Sequence, residues 1–230
     1  MERARIPSRQ EQANLVDYEA ARREFTWDQA AELFTWGDTG RLNMAQEAID
    51  RWAQSERGGH PALIFCRGDL CKVFDFRRLR DDSSRLANLL RAMGLEAKNR
   101  LAVLLPAEPE IFLAMAACAR LGAVCCCLPP HLGREELTAL IHRLKPQVVL
   151  TSPALAEGLP WEQRSPSQRV IYTSEPPGGL TQEDVVLAQA LPAQSPECDI
   201  AWVEADHPLF SPSPAAVTAP SGPWCTPMGP

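Results

Sequence analysis

The chain has 230 residues, 45% of them hydrophobic, and its 23 Lys and Arg against 29 Asp and Glu leave a formal net charge of −6. That length allows one large domain or one and a half small ones and can bury roughly 70% of the unfolded surface. The acidic balance argues against nucleic acid or an anionic membrane as partner, no run of about 18 apolar residues is present to span a bilayer, and the polar start Met1 to Gln12 lacks a signal-peptide core, which predicts a cytoplasmic protein.

Asp17 to Phe34, rich in Ala, Glu and Arg, predicts a surface helix that ends in the turn residues Trp36 to Gly40. Asn43 is placed to cap a second helix, Met44 to Arg57, with Met44, Ala48 and Trp52 at helical spacing. Gly58-Gly59-His60-Pro61 ends it. Ala62 to Cys66 and Cys71 to Phe74 flank Arg67-Gly68-Asp69-Leu70 as a β-hairpin. Asp75 then caps a helix to Met93, with Leu79, Ser83, Leu86 and Leu90 on one face and Gly94 as its stop.

Leu101 to Leu105 is a short apolar strand closed by Pro106. Pro109 suits the first turn of a helix to Leu121, apolar on nearly every side and so expected to be deeply buried. Ala123 to Leu128 is the next strand, Gly133 to Leu144 an amphipathic helix stopped by Pro146, and Gln147 to Thr151 and Gln168 to Thr173 two more strands. This alternation predicts an α/β fold: a largely parallel sheet with helices on both faces. Gln182 to Leu191 reads as a helix and Pro192 to Pro196 as a linker. Pro208 to Pro230 holds seven prolines without apolar periodicity and reads as disordered.

The eight cysteines are Cys66, Cys71, Cys118, Cys125, Cys126, Cys127, Cys198 and Cys225. Without an export signal a disulfide framework is not expected, and the spacing of Cys66 and Cys71 is a poor zinc pair. Cys125 to Cys127 alternate faces of one strand and cannot converge on one metal, so the cysteines read as small buried hydrophobes, with metal or redox chemistry the alternative. His60, His131, His142 and His207 show no ligand or triad spacing. Asp81-Asp82 and Glu135-Glu136 are adjacent on helices and point about 100° apart, wrong for a carboxylate dyad. Ser83-Ser84 lacks an evident base, and Arg77, Arg78 and Arg80, opposed by Asp81 and Asp82, read as a solvated face, with phosphate contact the alternative.

Several segments, taken in order, carry a family likeness. Leu42 to Ala45 with Ala48-Ile49-Asp50-Arg51 resembles the "LNxAxxAxDR" segment of acetyl- and propionyl-CoA synthetases, and Pro61 to Ile64 their first core strand. Phe76 to Leu79 with Arg85 to Leu90 resembles "TYxEL…xxxANxL", Arg100 to Pro106 with Pro109-Glu110 resembles "DRVAxxLPxxPE", and Ala117 to Val124 resembles "LACARxGAV". The likeness runs from about residue 15 to 151, more weakly to Phe210. It is a resemblance to the N-terminal part of the AMP-forming acyl-CoA synthetases, the adenylate-forming (ANL) superfamily, and among them most to acetyl-CoA synthetase.

The resemblance implies a ligase that activates a carboxylate with ATP to an acyl-adenylate and passes the acyl group to coenzyme A. ATP, Mg and coenzyme A serve the full-length family; none is expected for this chain alone. The implied organisation is 1–41 as a helical extension, 42–206 as the N-terminal portion of an AMP-binding synthetase domain with an incomplete sheet, and 207–230 as a Pro-rich disordered tail. The chemistry needs a Gly/Ser/Thr-rich loop offering N–H groups to phosphates, later acidic residues, and a Lys from a mobile domain. These 230 residues hold no such loop in frame, and Gly178-Gly179 is too small a glycine signal to replace it. No catalytic, cofactor-binding or metal residue therefore carries over to a numbered position. The expectation is a chain inactive alone, or a non-catalytic interaction module or half-ligase that pairs with the missing ligase portion; which carboxylic acid is involved stays open.

The tail carries one more reading. Ala205 to Phe210 matches the family's "EDPLF", which its phosphate loop closely follows, and there the likeness stops. Read one base earlier, the codons of Trp224 to Gly229 must give Val, Tyr or His, a small residue or Pro, one of Tyr/His/Asn/Asp, then Gly, which fits "VHxHG". The same shift permits Ala/Thr-Ser-Gly-Ser-His/Asn-Gly across Ser213 to Ala219. The expectation is a frameshifted phosphate loop; a Pro-rich tail with its own history is the alternative.

Overall fold

The computed structural model describes residues 15, 17–36, 39–181 and 183–211, and the chain divides into two compact units, 1–40 and 41–230. The first unit contains α1 (Tyr18–Glu24) and α2 (Trp27–Glu32). The sequence predicts one helix here, but Phe25 and Thr26 take extended backbone and Thr26 starts a new helix. Its Oγ1 accepts the Gln29 N–H while Gln29 Oε1 accepts the Thr26 N–H, a reciprocal cap that outweighs continuing the first helix.

The second unit opens with β1 (Arg41–Leu42); the helix expected over Met44 to Arg57 is present from 44 to 53, as a π-helical stretch (Gln46–Asp50) running into α3 (Arg51–Ala53), and its last turn is instead a separate 3-10 turn (Glu56–Gly59). The hairpin β2 (Pro61–Arg67) and β3 (Leu70–Asp75) follows, then α4 (Phe76–Ala92), capped by Asp75, whose carboxylate accepts the Arg78 N–H at 2.7 Å. Next come β4 (Arg100–Leu104), α5 (Pro109–Leu121), β5 (Val124–Leu128), α6 (Arg134–Leu144), β6 (Val148–Thr151), α7 (Pro153–Ala156) and β7 (Arg169–Tyr172). Short elements finish the unit: β8 (Val185–Val186), α8 (Leu187–Ala190), β9 (Val203–Glu204) and β10 (Phe210–Ser211). Gly122 ends α5 at φ +64°, a left-handed turn that a side chain would strain, and it is hemmed in by Val203 and His207.

Six strands form one parallel sheet in the order β10-β5-β4-β6-β7-β8. Alternate residues of each central strand feed opposite faces. Leu101, Val103, Val148 and Leu150 meet Leu86 and Leu90 of α4 and Leu113 and Ala117 of α5. Ala102, Leu104 and Val149 meet Leu137 and Leu140 of α6 on the other side. Both faces are covered, as the runs of apolar strand residues require; each fully buried Leu contributes about 1.5–3 kcal/mol. Helix α5 is largely buried, but Phe112 stands 52% exposed, against the expectation of burial on nearly every side.

Three local expectations are corrected. Gln182 to Leu191 is not one helix: Val185 and Val186 extend the sheet beside Ile171 and Tyr172 before α8 begins. The tail does not start at 207, because Phe210 and Ser211 pair in parallel with Cys125 and Cys126; the rest of it, from 212, lies outside the described residues. Cys66 and Cys71, read as free and buried, are exposed and joined by a disulfide across the hairpin, where they face each other in register with Cα atoms 4.2 Å apart. A hairpin brings such a pair into bonding range whatever the rest of the core does.

Candidate functional site

The topology itself marks a site. From β4 the chain passes through α5 on one face to β5, then returns through α6 on the other face to β6, on the far side of β4. Segments leaving the C-terminal ends of β4 and β6 thus diverge to opposite faces: α5 packs with Leu101 and Val103, while Ala156 of α7 packs with Val170 and Tyr172. Such a switch point leaves a crevice at the carboxyl edge of the sheet, where open α/β folds bind ligands.

Arg67, from the end of β2, donates to Ala107 O at 3.1 Å and to Glu108 Oε1 at 2.7 Å, holding the β4–α5 loop to the hairpin. On the β6 side Thr151 is sealed in and Ser152 Oγ accepts the Leu155 N–H to start α7. β10 runs parallel to β5, so the chain leaving Ser211 emerges at this same edge. Glu108 is already engaged by Arg67, and among the described residues no three His, Cys, Asp or Glu side chains come together.

At the far end of α5, away from the crevice, residues that carry the likeness converge on one another. Arg120 of α5, only 1% exposed, forks onto Asp50 with Nη2–Oδ1 2.6 Å and Nη1–Oδ2 2.8 Å, and its Nε donates to Ser83 Oγ of α4 at 3.1 Å. Buried Asn43 accepts the Ala45 and Gln46 N–H groups and donates its amide to Ala119 O and Ala201 O, both at 2.8 Å. Sequence reasoning gave Asn43 its cap but left Asp50, Ser83 and Arg120 without roles. The signal available was that Asp50 and Arg120 both sit in segments bearing the likeness.

The remaining flagged residues are dispersed. His60, His131 and His142 are exposed on separate elements, and His207 Nε2 meets Gly122 O at 2.7 Å. Asp81 pairs with Arg80, Asp82 with Arg78 and Arg85, Glu136 accepts the Gly133 N–H, and Arg77 packs beside Gly58. Gly178 and Gly179 lie in an open turn. Cys118, Cys125 and Cys126 are buried and Cys127 and Cys198 partly so; Cys225 lies outside the described residues. A hydrogen bond with Cys118, together with burial, holds the Cys125 thiol well above its ordinary range despite the opposing contact with Cys127. Its bond to Cys125, then burial, pushes Cys127 up as well. These thiols stay protonated and sit in the core as apolar groups.

Comparison with known proteins agrees with this geometry. The AMP-binding enzyme family matches residues 49–212. Acetyl-coenzyme A synthetase of Bacillus subtilis is 28% identical over 203 residues, covering 86% of this chain and 35% of that protein. The Syntrophobacter fumaroxidans protein of the same name is 31% identical over 193 residues, covering 77% and 30%. The crystal structure of a Brucella canis acyl-CoA synthetase superimposes with a TM-score of 0.70 at 22% identity, over 84% of this chain and 35% of that one, which shows the shared fold. The chain thus spans about a third of the length of the relatives it matches. No helix among the described residues is long and apolar enough to cross a membrane. With the family match extending over most of the chain, from the ion-paired Asp50 region to the last described strand, this protein belongs to the AMP-binding enzyme family.

Proposed function

We propose that this chain is the sheet-bearing scaffold of an acetate–CoA ligase-like enzyme. The complete ligase would activate a carboxylate with ATP to an acyl-adenylate and transfer it to coenzyme A. The observation that carries the reading is β10. The family match ends at 212, just as β10 delivers the chain to the carboxyl edge of the sheet beside the switch-point crevice. ATP, Mg and coenzyme A would be held by residues beyond those described; the described ones shape the floor of the cleft. In this reading the protein works in the cytoplasm on small molecules, without nucleic acid or membrane, and these 230 residues alone do not turn over. The test is acetate-dependent pyrophosphate release and acyl-CoA formation by the purified chain with ATP and Mg. None is expected, and robust turnover with acetate or propionate would overturn the proposal.

A second reading is a half-ligase or interaction module that pairs with a separately encoded remainder. The favouring observation is the hairpin, where the cross-strand partners Ile64 and Val73 are 60% and 49% exposed, an apolar pair on open surface. Mixing the chain with the other two thirds of a related ligase would restore acyl-CoA formation on this reading. The absence of any neighbouring reading frame for that portion would count against it.

A further inference from the structure

The opposite edge of the sheet holds a cavity that the ligase reading does not use. It lies beneath the N-terminal ends of β4, β6 and β7, about 15 Å from the crevice by the length of the strands, between the end of α6 and the 159–168 segment. Its volume is about 450 Å³, within the range of small-molecule sites. Its lining mixes the apolar groups Ile141, Leu159, Pro160 and Trp161 with the cations Arg100, Lys145 and Arg164 and with His142. No carboxylate lines it, although the chain as a whole carries a net charge of −6.

The three cations differ in availability. Arg100 Nε and Nη2 donate to Leu144 O and Lys145 O, capping the end of α6. Arg164 is clamped by Asp184 and Gln168 O. Both are thereby fixed in place, and the Arg164 charge is already met by Asp184. Lys145, at the left-handed residue that ends α6, is exposed, and its ammonium has no partner among the described residues. Trp161, in the same lining, is pinned by its Nε1–H to Ala156 O at 2.7 Å, and the Arg164 guanidinium lies 5.6 Å from its ring centroid. A fixed indole and an unspent ammonium lining one cavity suit a ligand with a flat apolar body and one anionic end.

We propose that this cavity is a second binding site, taking a small apolar-bodied organic carboxylate whose charge is met by Lys145 and whose body lies against Trp161. The experiment uses the full chain and benzoate as probe, following the Trp161 indole N–H by NMR, with Trp161→Phe to assign it. A saturable shift in the millimolar range is expected. Lys145→Glu should weaken binding at least about ten-fold, while Lys72→Glu, an exposed lysine on the β2–β3 hairpin, should leave it unchanged. Benzamide, lacking the charge, and formate, lacking the body, should each bind at least about ten-fold more weakly. An absent or unsaturable shift, an undiminished affinity in Lys145→Glu, or equal binding of benzamide or formate would each overturn the site.

Discussion

Asp50 and Arg120, 70 residues apart in sequence, form a two-point ion pair nearly sealed from water, with oxygen–nitrogen distances of 2.6 and 2.8 Å. The pair ties the helical segment before α3 to α5, and Ser83 joins α4 to the same guanidinium. Three elements on one face of the sheet thus share one buried charge centre.

Breaking that centre on one side strands a charge in the core. Asp50→Ala or Arg120→Met alone should cost about 3–5 kcal/mol in urea unfolding. The double variant Asp50→Leu/Arg120→Met should recover much of the loss, since neither charge then needs a partner. A single variant costing under about 1 kcal/mol, or a double variant as unstable as the two losses summed, would show that the pair is not what holds these helices.

Asn43 offers a cleaner dissection, because its two ends act separately. Asn43→Ala removes the cap and leaves Ala119 O and Ala201 O without their donor, for an expected loss of about 3 kcal/mol or more. Asn43→Asp keeps the capping oxygen but turns a carboxylate toward two carbonyls, so it should be no more stable than the alanine variant. If the aspartate variant unfolds at wild-type urea concentration, the two carbonyl contacts contribute nothing.

The central sheet was legible because β4, β5 and β6 are buried on both faces and their sequences, RLAVL, VCCCL and VVLT, are almost unbroken apolar runs. The short strands were not. Val185-Val186 fits a helical window equally well, and Arg41-Leu42 is a strand only because Val203-Glu204 lies beside it. Nothing local encodes that partner. The crevice followed from strand order, which a sequence does not print, and the Asp50–Arg120 pair from a fold that brings distant segments together. The cavity under Lys145 was invisible for the same reason: its lining comes from three connections, those leading into β4, β6 and β7, that meet at one sheet edge.

The core thiols make stability depend on alkaline pH. Cys125 and Cys127 hold their protons well above the ordinary thiol range, while in the unfolded chain they ionise near pH 8.5. A raised folded value means the contribution is complete below about pH 8.5 and is lost as pH rises beyond it, because only the unfolded state then sheds protons. Unfolding free energy measured from about pH 7.5 to 9.5 should therefore fall more steeply in wild type than in Cys125→Ala/Cys127→Ala. Tyr172, raised chiefly by burial, acts above that window. Equal slopes would sink the argument. Under native conditions iodoacetamide should label Cys198 well before Cys125 or Cys127, and non-reducing peptide mapping should recover Cys66 and Cys71 linked.

The last prediction concerns the coding sequence beyond Phe210. Both the family match and the described fold continue to this point: β10 is paired in the sheet, and the match ends at 212. The residues that follow, Ser213 to Gly229, lie outside the described structure, and their codons carry the remaining information. Trp224 and Met228 have one codon each, and Cys225 and Gly229 have nearly fixed ones, so a shift of one base forces Val at one position and Gly at another, with Tyr or His directly after the Val. That is what a continuing ligase needs at this register. Between Ser213 and Ala219 the shift permits Ser-Gly-Ser followed by His or Asn and Gly, a run of small residues able to turn backbone N–H groups toward phosphate. We expect the gene, read one base earlier after Phe210, to stay open, to encode that Ser-Gly loop and to run on into the rest of a ligase. Resequencing the locus from genomic DNA tests this directly. A stop codon in the shifted frame before Gly229, or a shifted reading without a Ser-Gly-rich loop, removes the idea and leaves the Pro-rich segment as a sequence with its own history.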